Sequence, residues 1–386
     1  FFLPILHYIY FFDSLGGVVL GGSVILIFLY LLRFNTLPKI SINIKGVGLI
    51  VFFLMHSFIC FATNNIDVVR LLSSIVVFCY VLYSSFSCYK MLMKCDSIKF
   101  HHFINILYYI FILLFVYSVF FPSFLTDVHH KPIFPYNEPS HFCLFFGPIM
   151  YYKLVMSNGN ARVFFAILSI LIAIISQNLI IILSTVLIFG FLNRRNFIIL
   201  FAVLFVGGSI LLKNEYFNSR LNISKETDNI SVLAFIQGWD FAINHLLKTN
   251  FFGIGFQQLG FVPIETETSV QIESLIGGKL NDKDGSFIAS KIISEFGFFG
   301  IVLILYYLIF LLKCLKVLSK FKIPNYSDSI MVFCCCSFFS FFVEIFIRGL
   351  GYFTPTAFLF FMSLFYLIND KRFAILLRSN NKNAFN

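Results

Sequence analysis

Charge is scarce in this chain. Asp, Glu, Lys and Arg together make up 12% of its 386 residues, where soluble domains carry about 25%. With 59% hydrophobic residues and a mean hydropathy of +0.90, that shortage excludes a soluble enzyme, which would leave most of its apolar surface in water. It also excludes a disordered chain and a nucleic-acid-binding module. Acids are scarcer than bases, 18 against 28, for a net charge of +10, but the placement of the bases, taken up below, speaks for a membrane rather than nucleic acid. Short alternating segments are lacking too, which excludes an outer-membrane barrel. The nine cysteines form no CxxC pair, and the longest polar stretch has none, so neither a zinc site nor a disulfide framework is expected. Tryptophan occurs once, as Trp239. The chain opens on Phe1 without a basic n-region or a small-residue cleavage site; no signal peptide is read, and the true start is expected upstream.

Long apolar runs, by contrast, are plentiful, and phenylalanine alone contributes 56 residues. The runs cover approximately 1–12, 15–32, 46–63, 71–89, 103–125, 141–156, 163–192, 196–212, 286–312, 329–347 and 352–368. At about 20 apolar residues per crossing, this is an all-α, polytopic transmembrane bundle of about 10–12 helices. Cations sort the loops, because Lys and Arg are retained on the cytoplasmic side. Six clusters hold 18 of the 28: Arg33, Lys39 and Lys45; Lys90, Lys94 and Lys99; Lys153 and Arg162; Arg194 and Arg195; Lys313, Lys316, Lys320 and Lys322; Lys371, Arg372, Arg378 and Lys382. Only one run upsets the alternation. As a single helix 163–192 would be ~45 Å long and would put the most basic later loops outside. The parity predicts a hairpin, breaking near Ser176, Gln177 and Asn178.

Three parts follow: membrane helices over 1–212, a large periplasmic loop over 213–285, and membrane helices with a cytoplasmic tail over 286–386. The loop holds six cations against nine acids, as an outer segment should, and its length marks it as functional or structured. Val232, Phe235, Ile236, Trp239, Ile243 and Leu246 recur at three and four, predicting an amphipathic helix with those residues on its apolar face.

Ionisable residues at membrane depth are candidates for function by default, and four regions on the outer side supply them. Glu138 stands at a helix start beside Pro139 and near His141, where a carboxylate either caps the helix or works on a substrate. His129 and His130 are adjacent and cannot readily share one ion with His141, so no metal is expected. Arg220 opens the large loop, and Trp239 precedes the run Asn250-Phe-Phe-Gly253-Ile-Gly255-Phe256, whose glycines fit a turn after a helix rather than a phosphate cradle. Asp282-Lys283-Asp284-Gly285-Ser286 leads to Lys291 and Glu295, which stand four apart and can pair. Glu344 and Arg348 repeat that spacing before Gly349-Leu-Gly-Tyr352. Together the four regions mix carboxylates with arginines on one face. Arginine's fork suits phosphate oxygens, and a carboxylate or His activates a hydroxyl. Transfer from a lipid diphosphate fits this set.

The runs Trp239…Gly253-Ile-Gly255 and Ser286-Phe-Ile-Ala-Ser-Lys-Ile-Ile-Ser-Glu295-Phe-Gly297-Phe-Phe-Gly300 resemble the O-antigen ligase and polymerase superfamily. That family has a large periplasmic loop, a Trp helix leading to a Gly-x-Gly turn, and a helix carrying Glu-x-Gly-x-x-Gly. Asn137-Glu138-Pro139-Ser140 and Arg348-Gly-x-Gly-Tyr352 look more like the polymerase branch, and Ser286 stands where the ligase branch carries a His. The resemblance spans roughly 130–360.

It implies a GT-C-type glycosyltransferase of the bacterial inner membrane, an O-antigen polymerase that joins undecaprenyl-diphosphate-linked repeat units at the periplasmic face without cofactor or metal. Arg220 and Arg348 are expected on the diphosphate, with Lys291, Glu295 and Trp239 also binding substrate. Glu138, His141 or Asp284 is expected to take the acceptor's proton. Donor and acceptor glycans, membrane lipid and a chain-length regulator protein are the expected partners, and nucleic acid is not. A ligase acting on lipid A core, or a polysaccharide flippase, are the alternatives.

Overall fold

The computed structural model describes residues 15–38, 44–63, 66–121, 133–134, 136, 139–176, 178–192, 223–262, 264–321, 325–349 and 351–378. These residues are helical and contain no strand beyond two isolated bridges. In chain order the helices are α1 (Leu15–Phe34), α2 (Ile44–Thr63), α3 (Val68–Leu92), α4 (Ser97–Phe120), α5 (Pro139–Val155), α6 (Gly159–Ile175), α7 (Leu179–Leu192), α8 (Ile230–Lys248), α9 (Glu267–Ile276), α10 (Ile288–Phe296), α11 (Phe298–Leu318), α12 (Ser329–Phe346), α13 (Pro355–Asn369) and α14 (Lys371–Arg378). Among the described residues six helical stretches are long and apolar enough to cross a membrane: α1, α3, α4, α8, α11 and α12 with the short turn before it. The chain is therefore a polytopic helical membrane protein. A 25-residue helix such as α3 reaches ~38 Å, enough for a ~30 Å hydrocarbon layer with some tilt.

At the centre stands α12. Its side chains are buried almost all round, as expected for a helix apolar on every face. It packs against α13 and α5. Small residues allow the close approach: a Cβ on Gly147 of α5 would lie 2.7 Å from Ser340 Oγ of α12. Around this core α3 packs on α1 and α13, and large side chains such as Phe58, Val69 and Leu113 point outward, 70%, 79% and 66% exposed, where lipid would cover them.

One end of the bundle is basic. Lys94 lies over the Phe34 ring, Lys153 donates to Asn105, the His101 ring meets that of Tyr326 at a tilt, Arg372 pairs with Asp328 and Lys316 donates to Leu377 O. These contacts join the ends of α1, α3, α4, α5, α11, α12 and α14. The opposite ends of α3, α11 and α12 adjoin the loop that holds the candidate site.

The chain breaks where the polar triplet interrupts 163–192. α6 ends at Ile175, α7 starts at Leu179 and the two pack together. The break is local: Asn178 N reaches back to Ala173 O over 2.8 Å, leaving the helical ladder.

By length α8 could cross a membrane, with the lowest hydropathy of the six; its contacts keep it with the loop. Gln237 donates to Asp282 Oδ1 over 3.4 Å, Thr268 to Asp240 Oδ2 over 2.8 Å, and His245 meets Val262 O at 3.5 Å. Lys225 pairs with Asp240 at 3.3 Å, and that bond and charge hold its ammonium above the ordinary value. The amphipathic helix thus forms where the spacing puts it, but its buried face is turned. Ala234, Gln237, Gly238, Phe241 and His245 face inward, and Ile243 is 54% exposed. The Gln237 amide N–H and the His245 ring each reach a loop acceptor, which lets polar residues occupy the inner face.

Candidate functional site

The site is built around α10, nine residues long and set apart from α11 by Gly297. Helix α8 packs on it from one side, and Gly349 and Tyr352 close on it from another. Its C-terminal carbonyls are capped by the Gly-x-Gly run: Ile254 N donates to Ser294 O over 3.0 Å and Gly255 N to Glu295 O over 2.9 Å, while Phe298 N, opening α11, donates to Phe251 O over 2.8 Å. The glycines are needed for that approach and not for a phosphate cradle. A Cβ on Gly253, at φ +88°, would lie 2.5 Å from Glu295 O, and one on Gly297, at φ +58°, 2.1 Å from Phe251 O. Gly297→Ala should therefore destabilise the protein by about 1–3 kcal/mol, read as a lower unfolding midpoint in detergent. Gly278→Ala, with open space around the new Cβ, should melt like wild type; equal midpoints for both variants would contradict this packing.

At the other end of α10 the chain enters through a strained turn. Asn281, Gly285 and Ser286 have φ of +55°, +68° and +65°, and Gly349 N donates to Ser286 O over 2.9 Å. Non-glycine residues in this conformation cost energy and cluster at functional sites. Gln257, Asn250 and Phe251 also have positive φ, so both loops against α10 are held this way.

Between these loops the ammonium of Lys291, 1% exposed, donates to Lys283 O over 2.5 Å and lies 3.7 Å from Asp284 Oδ1. It also stands 5.2 Å from the Tyr352 ring centre. Its ion pair is thus with Asp284, across the turn, and not with Glu295 one helical turn on. Glu295 is fully buried; Oε1 accepts from Leu259 N over 3.5 Å. Its Oε2 stands beside the Tyr352 hydroxyl, so that two buried polar groups face each other. Asp284 is 53% exposed at its side chain and would lie 3.1 Å from a Cβ on Gly351. It is thus an open carboxylate held by a buried cation. Its neighbour Asp282 is half-buried, and that burial pushes its carboxyl above the usual range, with Lys279 opposing.

Trp239 packs its ring 5.0 Å from that of Phe287, the residue before α10, and Gly238 leaves room for the same ring. Arg348 follows α12, its N–H bonded to Val343 O over 3.0 Å. Glu344, four residues earlier, does not pair with it. Glu344 is fully buried and accepts from Thr354 Oγ1 over 3.3 Å and from Thr356 Oγ1, fastening the start of α13, which Thr354 caps.

Of the residues singled out in the sequence, Asp284, Lys291, Glu295, Trp239 and Arg348 come together around α10. His141 lies in the first turn of α5, at the same end of the bundle, and is half-buried. Glu138 and Arg220 lie outside the described residues. Among the described residues no three His, Cys, Asp or Glu side chains are grouped to hold a metal ion. Sequence reasoning missed a third wall, contributed by α2 and α3. His56 Nε2 meets Phe252 O at 3.0 Å, Asp67 N donates to Gln258 Oε1 over 2.8 Å, and Arg70 donates to Gln257 Oε1 over 3.1 Å. The Gln-Gln pair after the Gly-x-Gly turn was the available signal. Comparison with protein-family models, with curated proteins and with solved structures gave no match.

Proposed function

We propose that this protein is a repeat-unit polymerase of the O-antigen type, acting at the outer face of the bacterial inner membrane. The observation that carries the reading is the gathering of Asp284, Lys291, Glu295, Trp239 and the Arg348 turn around α10, at the end of the bundle opposite its basic loops. Retention of basic loops in the cytoplasm supports a periplasmic site. The donor is a glycan on undecaprenyl diphosphate, and the acceptor is the terminal sugar of one carrier-linked unit. The acceptor hydroxyl oxygen attacks the donor's anomeric carbon and the bond from that carbon to the phosphate oxygen breaks. The lipid diphosphate leaves with the electron pair, and the hydroxyl proton passes to a carboxylate.

Asp284 suits that role because it is open on one side and fixed by Lys291 on the other; His141, at this end, and Glu138 are the other candidate bases. Arg348, with Arg220, neutralises the departing diphosphate. Lys291 and Glu295 position the turn that carries Asp284, and Trp239 sets its floor through Phe287. No cofactor enters the chemistry, and a chain-length regulator is the partner expected to set polymer size.

A strain lacking the protein tests the reading. Lipopolysaccharide of core plus one repeat unit is the expected result, whereas bare core would assign a ligase or a flippase instead. Sidedness has its own test: reporter fusions at Glu267 should report periplasm and fusions at Lys316 cytoplasm. A cytoplasmic signal at Glu267 would overturn the placement of the site.

A further inference from the structure

Two cations next to the α10 cluster play no part in the roles assigned so far. Arg70, in the first turn of α3, has its guanidinium carbon 5.5 Å from the centre of the Phe261 ring. Lys283 has its ammonium 5.2 Å from the same centre. Among the described residues neither is ion-paired. Asp67, the nearest acid in sequence to Arg70, is turned to its own helix and accepts from Arg70 N over 2.9 Å. Asp282 and Asp284 flank Lys283, but the first accepts from Gln237 and the second faces Lys291.

Arg70 is nevertheless firmly placed. Gln257 accepts from its Nη2, and Gln258 clamps the backbone of Asp67 from both sides, accepting from its N–H over 2.8 Å and donating to its carbonyl over 3.2 Å. The Nε of Arg70 is buried and makes no hydrogen bond to a described residue. Gln257 achieves its contact in the left-handed conformation, at φ +60°. Each cation is met by the Phe261 ring, which neutralises no charge. A bound anion would. Arginine offers a fork and lysine a point charge, which together suit the tetrahedral oxygens of a phosphate.

We infer that Arg70, Lys283 and Phe261 form a second anchor for the diphosphate of a lipid carrier, beside Asp284 and at the mouth of the site. The inference rests on the polymerase reading for the identity of that carrier. Lys283 links anchor and site directly, since its carbonyl holds the Lys291 ammonium. An anion on Lys283 would therefore settle the turn that carries Asp284.

The test is binding of farnesyl diphosphate to the full chain in lipid nanodiscs, read by microscale thermophoresis, with farnesol and inorganic pyrophosphate as comparison probes. Arg70→Gln and Lys283→Ala should each weaken farnesyl diphosphate about 10- to 100-fold and leave farnesol unchanged. Lys283 is exposed, so its variant reads charge without disturbing the fold. Wild-type affinity in both variants would overturn the anchor and leave the polymerase reading standing. Failure of the wild-type protein to bind farnesyl diphosphate would overturn both. Inorganic pyrophosphate binding as tightly, and weakened by the same variants, would assign the pair to a free anion and overturn the lipid carrier.

Discussion

Asp284→Asn should insert and accumulate normally yet polymerise roughly 100- to 10,000-fold more slowly, the loss expected when a general base is removed. The substitution keeps the size of the side chain and an oxygen that can still accept from Lys291. If Asp284 served only to neutralise that buried ammonium, which also bonds to Lys283 O, polymer would form at a rate within a few fold of wild type. The measurement is a lipopolysaccharide ladder beside an immunoblot for protein level. A full-length ladder at normal level would remove Asp284 as the base and move the role to Glu138 or His141.

Arg348→Lys is expected to fail nearly as badly as Arg348→Ala. Lysine keeps the charge but lacks the planar fork, and losing hydrogen bonds to a charged group costs about 1.5–3 kcal/mol each, or roughly 10- to 100-fold. The competing explanation, that Arg348 merely neutralises Glu344, loses its basis in the structure because Glu344 is taken up by Thr354 and Thr356. Full-length polymer from the lysine variant at normal protein level would show that the diphosphate does not need the fork.

Period and charge made the helices and their alternation legible. The 176–178 break could be read because three polar residues interrupt a long apolar run and the basic loops demand a reversal of direction. Amphipathic spacing located α8 but not its inner face, since Gln237 and His245 become buriable only once Asp282 and the Val262 carbonyl are folded against them. The pairing of Lys291 was misjudged for a related reason. Helical spacing puts Glu295 within reach, whereas the turn through Gly285 and Ser286, both at positive φ, brings Asp284 back to it. A serine in that conformation has no sequence signature. Arg70 was not legible from its own surroundings because its partner is 187 positions away; the Gln257-Gln258 pair marks a polar contact without naming what it meets. The Gly-x-Gly turn was legible as a turn, while its role as the cap of α10 needed the two segments side by side.

The most direct measurement of polymerisation uses the purified full chain in lipid nanodiscs with a chemically defined, lipid-diphosphate-linked repeat unit. Products are resolved by length and released lipid diphosphate is counted. A ladder of carrier-linked oligomers, with one lipid diphosphate freed for each linkage formed, is the expected result. Carrier-linked units that stay single, with no lipid diphosphate released by active, folded protein, would contradict it.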